Sequence, residues 1–282
     1  MRVVRSVLVL TALAIHLTGC GNGQPSSLTL QLPEHAQVWR WEIVKAGSPD
    51  EVVQSVTDGT RTVEVPPGNY QVAIQQNQHF SGRVVWPQTI RIKRNQQEVV
   101  SVQSGISLQV PENTRLWRWQ IVTAGSPEEV VQWTTSPTGS SSILQTLLIP
   151  PGEYQVTIQP DQHFSGRVVW PTPVRVENDQ PAVAALQSGV KLTVRAKAKI
   201  WRWQVVRAGA PDEIVQWTTS SARTLLVPPG EYQVVVQPEQ HNPVTVVWPQ
   251  AEPLVVSDGQ IAQATLDLRA ANNTEASGSA TP

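Results

Sequence analysis

A string of Trp-Arg-Trp, then Gln or Glu, then two aliphatic residues occurs at 39–44, 117–122 and 201–206, so the chain must fold as three equivalent units in tandem. A length of 282 residues alone allows one large domain or several small ones, and the repeat decides between them. Further landmarks keep the same order in each copy. Ala-Gly-Ser/Ala-Pro comes first, with an acidic pair (Asp50-Glu51, Glu128-Glu129, Asp212-Glu213), followed by Pro-Pro-Gly-x-Tyr, Gln-His and Val-Val-Trp-Pro. These place module one at 28–105, module two at 106–189 and module three at 190–269. Module two is longer by about six residues at 137–142, a Pro/Gly/Ser composition that reads as a loop.

The period within each module is that of strands. In 154–159 one face reads Tyr, Val, Ile and the other Gln, Thr, Gln, and 70–75 and 232–237 repeat the pattern, so one face is buried and the other wet. Pro-Pro-Gly precedes each of them (66–68, 150–152, 228–230) and suits a type II turn, with Gly at the positive φ. In module three the further strand candidates are 190–194, 199–206, 213–218, 223–227, 244–248, 253–256 and 261–268. Eight short strands in some eighty residues, without an amphipathic helix, predict an all-β chain of three tandem β-sandwich modules. Most of these strands are shorter than the roughly 9–11 residues of a membrane-barrel strand. Only Gln103-Ser104-Gly105 and Gln187-Ser188-Gly189 separate successive modules, which restricts bending. At about 30 Å per compact module, three in a row reach roughly 90 Å. The polar segment 270–282 has little to bury and reads as a disordered tail.

The amino terminus has a different character. Arg2 and Arg5 precede an apolar run from Val7 to Ile15 and then Leu17-Thr18-Gly19-Cys20, the pattern of a secretion signal. Its last four residues resemble the lipobox of bacterial lipoproteins. That resemblance implies a signal peptide over 1–19, cleavage before Cys20, lipidation of Cys20 and a lipidated tether over 20–27. It also implies a partner, the membrane, held through an N-terminal lipid, because two or three acyl chains at about 0.8 kcal/mol per buried methylene anchor firmly. Gly21 in place of Asp goes, in such lipoproteins, with export to the outer membrane, so the expected location is the bacterial cell envelope. Loss of Arg2 and Arg5 leaves 19 basic against 22 acidic residues, a formal charge of −3, which argues against nucleic acid as a partner. Cys20 is the single cysteine, so with a lipid on it the modules hold by packing alone.

A second resemblance rests on the aliphatic-Pro-Pro-Gly-Glu-Tyr-Gln-Val string of modules two and three, with its variant in module one. Set between strands in modules of this size, it is similar to the turn and strand of carboxypeptidase-regulatory-like and PEGA-like β-sandwich domains. The likeness implies a non-catalytic accessory or cell-surface domain.

Eleven tryptophans are the unusual feature. Alternation with Val38, Arg40, Glu42 and Val44 puts Trp39, Trp41 and Ile43 on one face, so at least one indole of each Trp-Arg-Trp is expected in the core, with Arg40, Arg118 and Arg202 pointing outward. Trp133 and Trp217 occupy a position held by Ser55 in module one, so they are not a core requirement and are the better surface candidates. Each precedes two threonines. Trp133, Thr134, Trp217 and Thr218, with Arg118 and Arg202, are therefore the candidate ligand-binding residues, through indole stacking on a sugar ring.

His79, His163 and His241 recur after Gln, but the residues near them supply no common carboxylate, so no metal and no cofactor is expected. Two adjacent carboxylates fall short of the six to eight oxygens of a calcium site. No nucleophile elbow, zinc-protease helix, phosphate-binding loop or dinucleotide fingerprint occurs, so the chain is expected not to be an enzyme. Two functional readings follow: a membrane-anchored spacer or scaffold for an envelope protein, or binding of an envelope glycan, peptidoglycan or surface polysaccharide, through exposed tryptophans.

Overall fold

The computed structural model describes residues 25–266, apart from 34–35, 37, 79–81, 113, 115, 136–145, 161–165, 179, 196–199, 221–223, 241–245 and 249–251. Cys20, the leader, the tail, all five histidines and the insertion at 137–142 lie outside the described residues.

Module one contributes β1 (Ser27–Gln31), β2 (Arg40–Lys45), β3 (Ser48–Val56), β4 (Thr62–Glu64), β5 (Gly68–Gln75), β6 (Arg83–Val85), β7 (Ile90–Ile92) and β8 (Gln97–Ser101). Module two contributes β9 (Gly105–Gln109), β10 (Arg118–Thr123), β11 (Ser126–Thr135), β12 (Leu147–Leu148), β13 (Gly152–Gln159), β14 (Val168–Val169), β15 (Val174–Val176) and β16 (Pro181–Ala185). Module three contributes β17 (Gly189–Val194), β18 (Arg202–Arg207), β19 (Ala210–Thr218), β20 (Thr224–Leu226), β21 (Gly230–Gln237), β22 (Val246–Trp248), β23 (Leu254–Val256) and β24 (Ile261–Leu266). Among the described residues there is no helix, and so none long and apolar enough to cross a membrane.

Each module is a sandwich of two sheets. In module one a three-stranded sheet of order β4-β1-β8 faces a five-stranded sheet of order β3-β2-β5-β6, with β7 also on β5; modules two and three repeat this topology. The first and last strands of every module run parallel, β1 with β8, β9 with β16 and β17 with β24. A chain that enters along one strand and leaves along its parallel neighbour crosses the module from one end to the other. The next module therefore starts where the last one finishes.

Inward residues of the two sheets form one apolar cluster per module. Trp41, Trp119 and Trp203 are its largest members, each 2% exposed or less. Trp39, Trp117 and Trp201 precede the strands and are half-buried, so of each pair the second indole fills the sandwich. Trp41 and Trp203 still satisfy their N–H by donating to the Thr60 and Ser220 carbonyls, both at 2.9 Å.

Pro-Pro-Gly-x-Tyr turns out to be a tyrosine clasp and not the expected positive-φ turn. Gly68 and Gly152 have no positive φ, Gly230 is nearly extended at 159° and not at the φ of a type II turn, and the three glycines begin β5, β13 and β21. The phenol of Tyr70, Tyr154 or Tyr232 donates to the carbonyl of the first proline, at 2.9, 3.0 and 2.7 Å, closing the corner with one hydrogen bond. The ring lies across the glycine, most closely in module one, where a Cβ at Gly68 would come within 2.7 Å of Tyr70 Oη, against 3.0 Å at Gly152 and 3.3 Å at Gly230. The positive φ is instead found at Gly47, Gly125 and Gly209 (78°, 77° and 76°), in the two-residue Ala-Gly loops joining β2 to β3 and their counterparts. Those hairpins carry the acidic pairs onto exposed strand positions, and no cluster of three potential metal-ligating side chains occurs among the described residues.

Ser26 and Ser27, expected in the tether, belong to the first module. Ser27 opens β1, and the Ser26 hydroxyl donates to the Lys93 carbonyl at 2.9 Å and accepts from Asn95 N–H at 3.0 Å.

Candidate functional site

Two sets of polar side chains stand out against the repeated core: those on the outer face of each five-stranded sheet, and those where one module meets the next.

On the outer face, Arg40 of β2 is bound to Gln75 Oε1 at 2.9 Å and pairs with Glu42 at 3.2 Å. Arg83 of β6 donates to the other Glu42 oxygen at 2.6 Å, so a carboxylate with 7% side-chain exposure lies between two guanidinium groups. Modules two and three hold Gln120 and Gln204 at that position. Arg118 then donates to the Gln120 amide oxygen at 2.9 Å and stacks over Trp133, with its guanidinium carbon 3.9 Å from the ring centroid. Arg202 donates to Gln204 at 2.6 Å and stacks over Trp217 at 4.2 Å. Burial lowers the pKa of Arg118, with the nearby charge of Arg167 adding to it, and burial lowers that of Arg202.

The sequence-derived candidates therefore divide. Trp133 pairs across the ladder with Gln120, and Trp217 with Gln204, which places both indoles and both arginines on the outer face. Thr134 and Thr218 pair with the core residues Trp119 and Trp203 and are 4% and 3% exposed, so they point inward. Strand alternation forbids adjacent residues from sharing a face, which removes both threonines from any indole platform. Each of the two indoles also has its arginine stacked on it.

Where modules one and two meet, β6 and β11 lie against each other at the edges of their sheets. Gln132 of β11, fully buried, accepts from Gly82 N–H at 2.8 Å and donates to the Gly82 carbonyl at 3.2 Å. Gln76, 4% exposed, acts in the other direction: it donates to the Thr146 carbonyl at 2.9 Å and accepts from Leu148 N–H at 2.6 Å. Each amide thus completes backbone groups of the opposing module as a neighbouring strand would. Between them Leu148 of module two packs in the core cluster of module one. At the following junction Leu226, Val215 and Ile261 of module three pack against the cluster of module two. The link serines are part of the fold, with Ser104 Oγ donating to the Ile149 carbonyl at 2.7 Å and Ser188 Oγ accepting from Gly259 N–H at 3.0 Å.

Sequence reasoning did not single out Gln76, Gln132, Arg83 or Glu42. A position-by-position comparison of the repeats carries the signal: Gln76 is Pro160 and Pro238 in the other copies, and Glu42 is a glutamine in both.

No family model matches the chain, and no curated protein matches it. Among solved structures it is similar to a putative adhesin from Bacteroides ovatus (8% identity over 89% of this chain and 94% of that one, TM-score 0.24). It is also similar to a streptococcal ancillary pilin (12% identity, 86% and 99%, TM-score 0.22). A third likeness is to the TIE protein of Bacillus anthracis (14% identity, 87% and 50%, TM-score 0.21), of which this chain spans half the length. At these TM-scores the likenesses carry no argument, and the sandwich assignment stands on the strand pairing above.

Proposed function

We propose that this chain is a non-catalytic lipoprotein of the bacterial cell envelope, anchored through a lipid on Cys20, most simply in the outer membrane. Its three modules act as a spacer and a scaffold for a protein partner. The observation that carries the reading is the reciprocal clamp of Gln76 and Gln132, which ties module one to module two through backbone hydrogen bonds in place of a flexible linker. A chain with buried joints holds a distal surface at a set distance from its anchor, and this requires no reacting group. The lipobox and the likeness to carboxypeptidase-regulatory-like and PEGA-like domains support the same reading.

Growth of cells with an alkyne fatty acid tests the anchor. Label is expected on the full chain and absent after Cys20→Ala, with the wild-type chain in the membrane fraction. An unlabelled or fully soluble wild-type chain contradicts it. In-cell cross-linking from module three should capture an envelope protein; capture only of other copies of this chain contradicts the scaffold role.

A further inference from the structure

The outer face of module three has a cleft of about 190 Å³, lined by Arg202, Gln204, Ile214, Val235 and Gln237. The equivalent positions in module one are Arg40, Glu42, Val52, Ala73 and Gln75, and there the space belongs to the Glu42 carboxylate, held by Arg40 and by Arg83. Module three has lost both parts of that arrangement. Gln204 stands in place of Glu42, and Thr245 in place of Arg83. What remains is a half-buried guanidinium whose hydrogen-bond partner is the neutral Gln204 and which stacks on Trp217. We infer that the module-three cleft binds the carboxylate of a uronic acid residue, the ligand taking the place that Glu42 fills by itself in module one.

The lining favours an acidic sugar. The Arg202 guanidinium offers a planar fork for a carboxylate. Gln204 and Gln237 are neutral amides that can both donate to and accept from sugar hydroxyls, and Ile214 and Val235 present aliphatic surface to the face of a pyranose ring. The volume lies below the roughly 300 Å³ at which sites for drug-sized ligands begin, so one sugar residue is the unit recognised. Burial lowers the pKa of Arg202, and among the described residues no carboxylate pairs with it. This site is independent of the scaffold reading, which rests on the module junctions and stands or falls without it.

The test is titration of the full chain, purified in detergent, with glucuronate, glucose, acetate and a short acidic peptide, followed by calorimetry and by the indole Nε1–H resonances. Glucuronate is expected to bind and to shift the Trp217 resonance, with glucose and acetate each at least tenfold weaker. Gln204→Glu recreates the module-one carboxylate and should reduce glucuronate binding at least tenfold while leaving the thermal transition of module three in place, whereas Gln120→Glu, in module two, leaves it unchanged. No glucuronate binding, undiminished binding by Gln204→Glu, equal affinity for acetate, or preference for the peptide would each overturn the assignment.

Discussion

The two junctions of this array are built from the same repeat and joined differently. At the first, Gln76 reaches across to the backbone at Thr146 and Leu148, and Gln132 reaches back to Gly82. At the second, the residue corresponding to Gln76 is Pro160, whose side chain can neither donate nor accept. Gln216, the counterpart of Gln132, is 1% exposed, and neither of its amide atoms finds a hydrogen-bond partner among the described residues. Apolar contact takes over there through Leu226, Val215 and Ile261. The difference teaches that burial, common to both junctions, supplies adhesion, whereas the amide clamps at the first supply register. A hydrogen-bonded pair of backbone groups has one geometry, and an apolar contact tolerates many.

Five substitutions would break or sharpen that contrast. The largest effect is expected from Leu226→Ala and Leu148→Ala, each fully or nearly fully buried in the cluster of the preceding module. Each should cost about 2–5 kcal/mol, read as a lowered calorimetric transition for the two modules that share the side chain. Next comes Gln76→Ala, which strands the Leu148 N–H and the Thr146 carbonyl and should cost about 1–3 kcal/mol. Calorimetry should then separate the melting of module one from the rest. Gln216→Ala should cost less than Gln132→Ala, because only Gln132 has partners to lose. Equal costs in denaturant titrations would mean that the second junction is clamped as the first is.

A smaller effect concerns the tyrosine clasps. Burial raises the pKa of Tyr154 and of Tyr232, at the latter against an opposing pull from Arg207. A phenol with its folded pKa raised stabilises the fold below the unfolded value near 10, and that contribution fades as pH rises through the folded value. Melting temperature should therefore fall above about pH 10, and Tyr154→Phe should flatten that fall while losing the hydrogen bond to Pro150.

Much of this architecture is legible in the sequence because strand alternation and turn residues act locally. Each strand candidate of module three overlaps an observed strand, although the one expected over 199–206 starts at Arg202, and residues 199, 223, 244–245 and 267–268 of the candidates lie outside the described residues. The same period-two rule puts both indoles of Trp-Arg-Trp on the inward face, and the structure buries the second, because the first precedes the strand. Where a contact between distant or facing groups overrides a local rule, the structure differs. Pro-Pro-Gly carries a turn composition, yet its glycine answers to a tyrosine ring two residues on, a packing demand that turn statistics do not contain. Thr134 and Thr218 are adjacent to the outer indoles in sequence and on the opposite face in space. The junction glutamines escaped notice because each is a common polar residue whose partner lies 50 or more positions away. Only the exchange of Gln76 for proline in the other copies hints that it belongs to one interface.

The central claim, that the amide clamps fix the first two modules in one arrangement, is tested most directly by the distance between modules one and two. Val99 and Val183 are exposed at 62% and 59% and accept spin labels after Val99→Cys and Val183→Cys in a full chain carrying Cys20→Ser. Double electron–electron resonance should then give one narrow distance distribution, broadened by Gln76→Ala with Gln132→Ala. A broad distribution in the chain with both glutamines intact would contradict the claim.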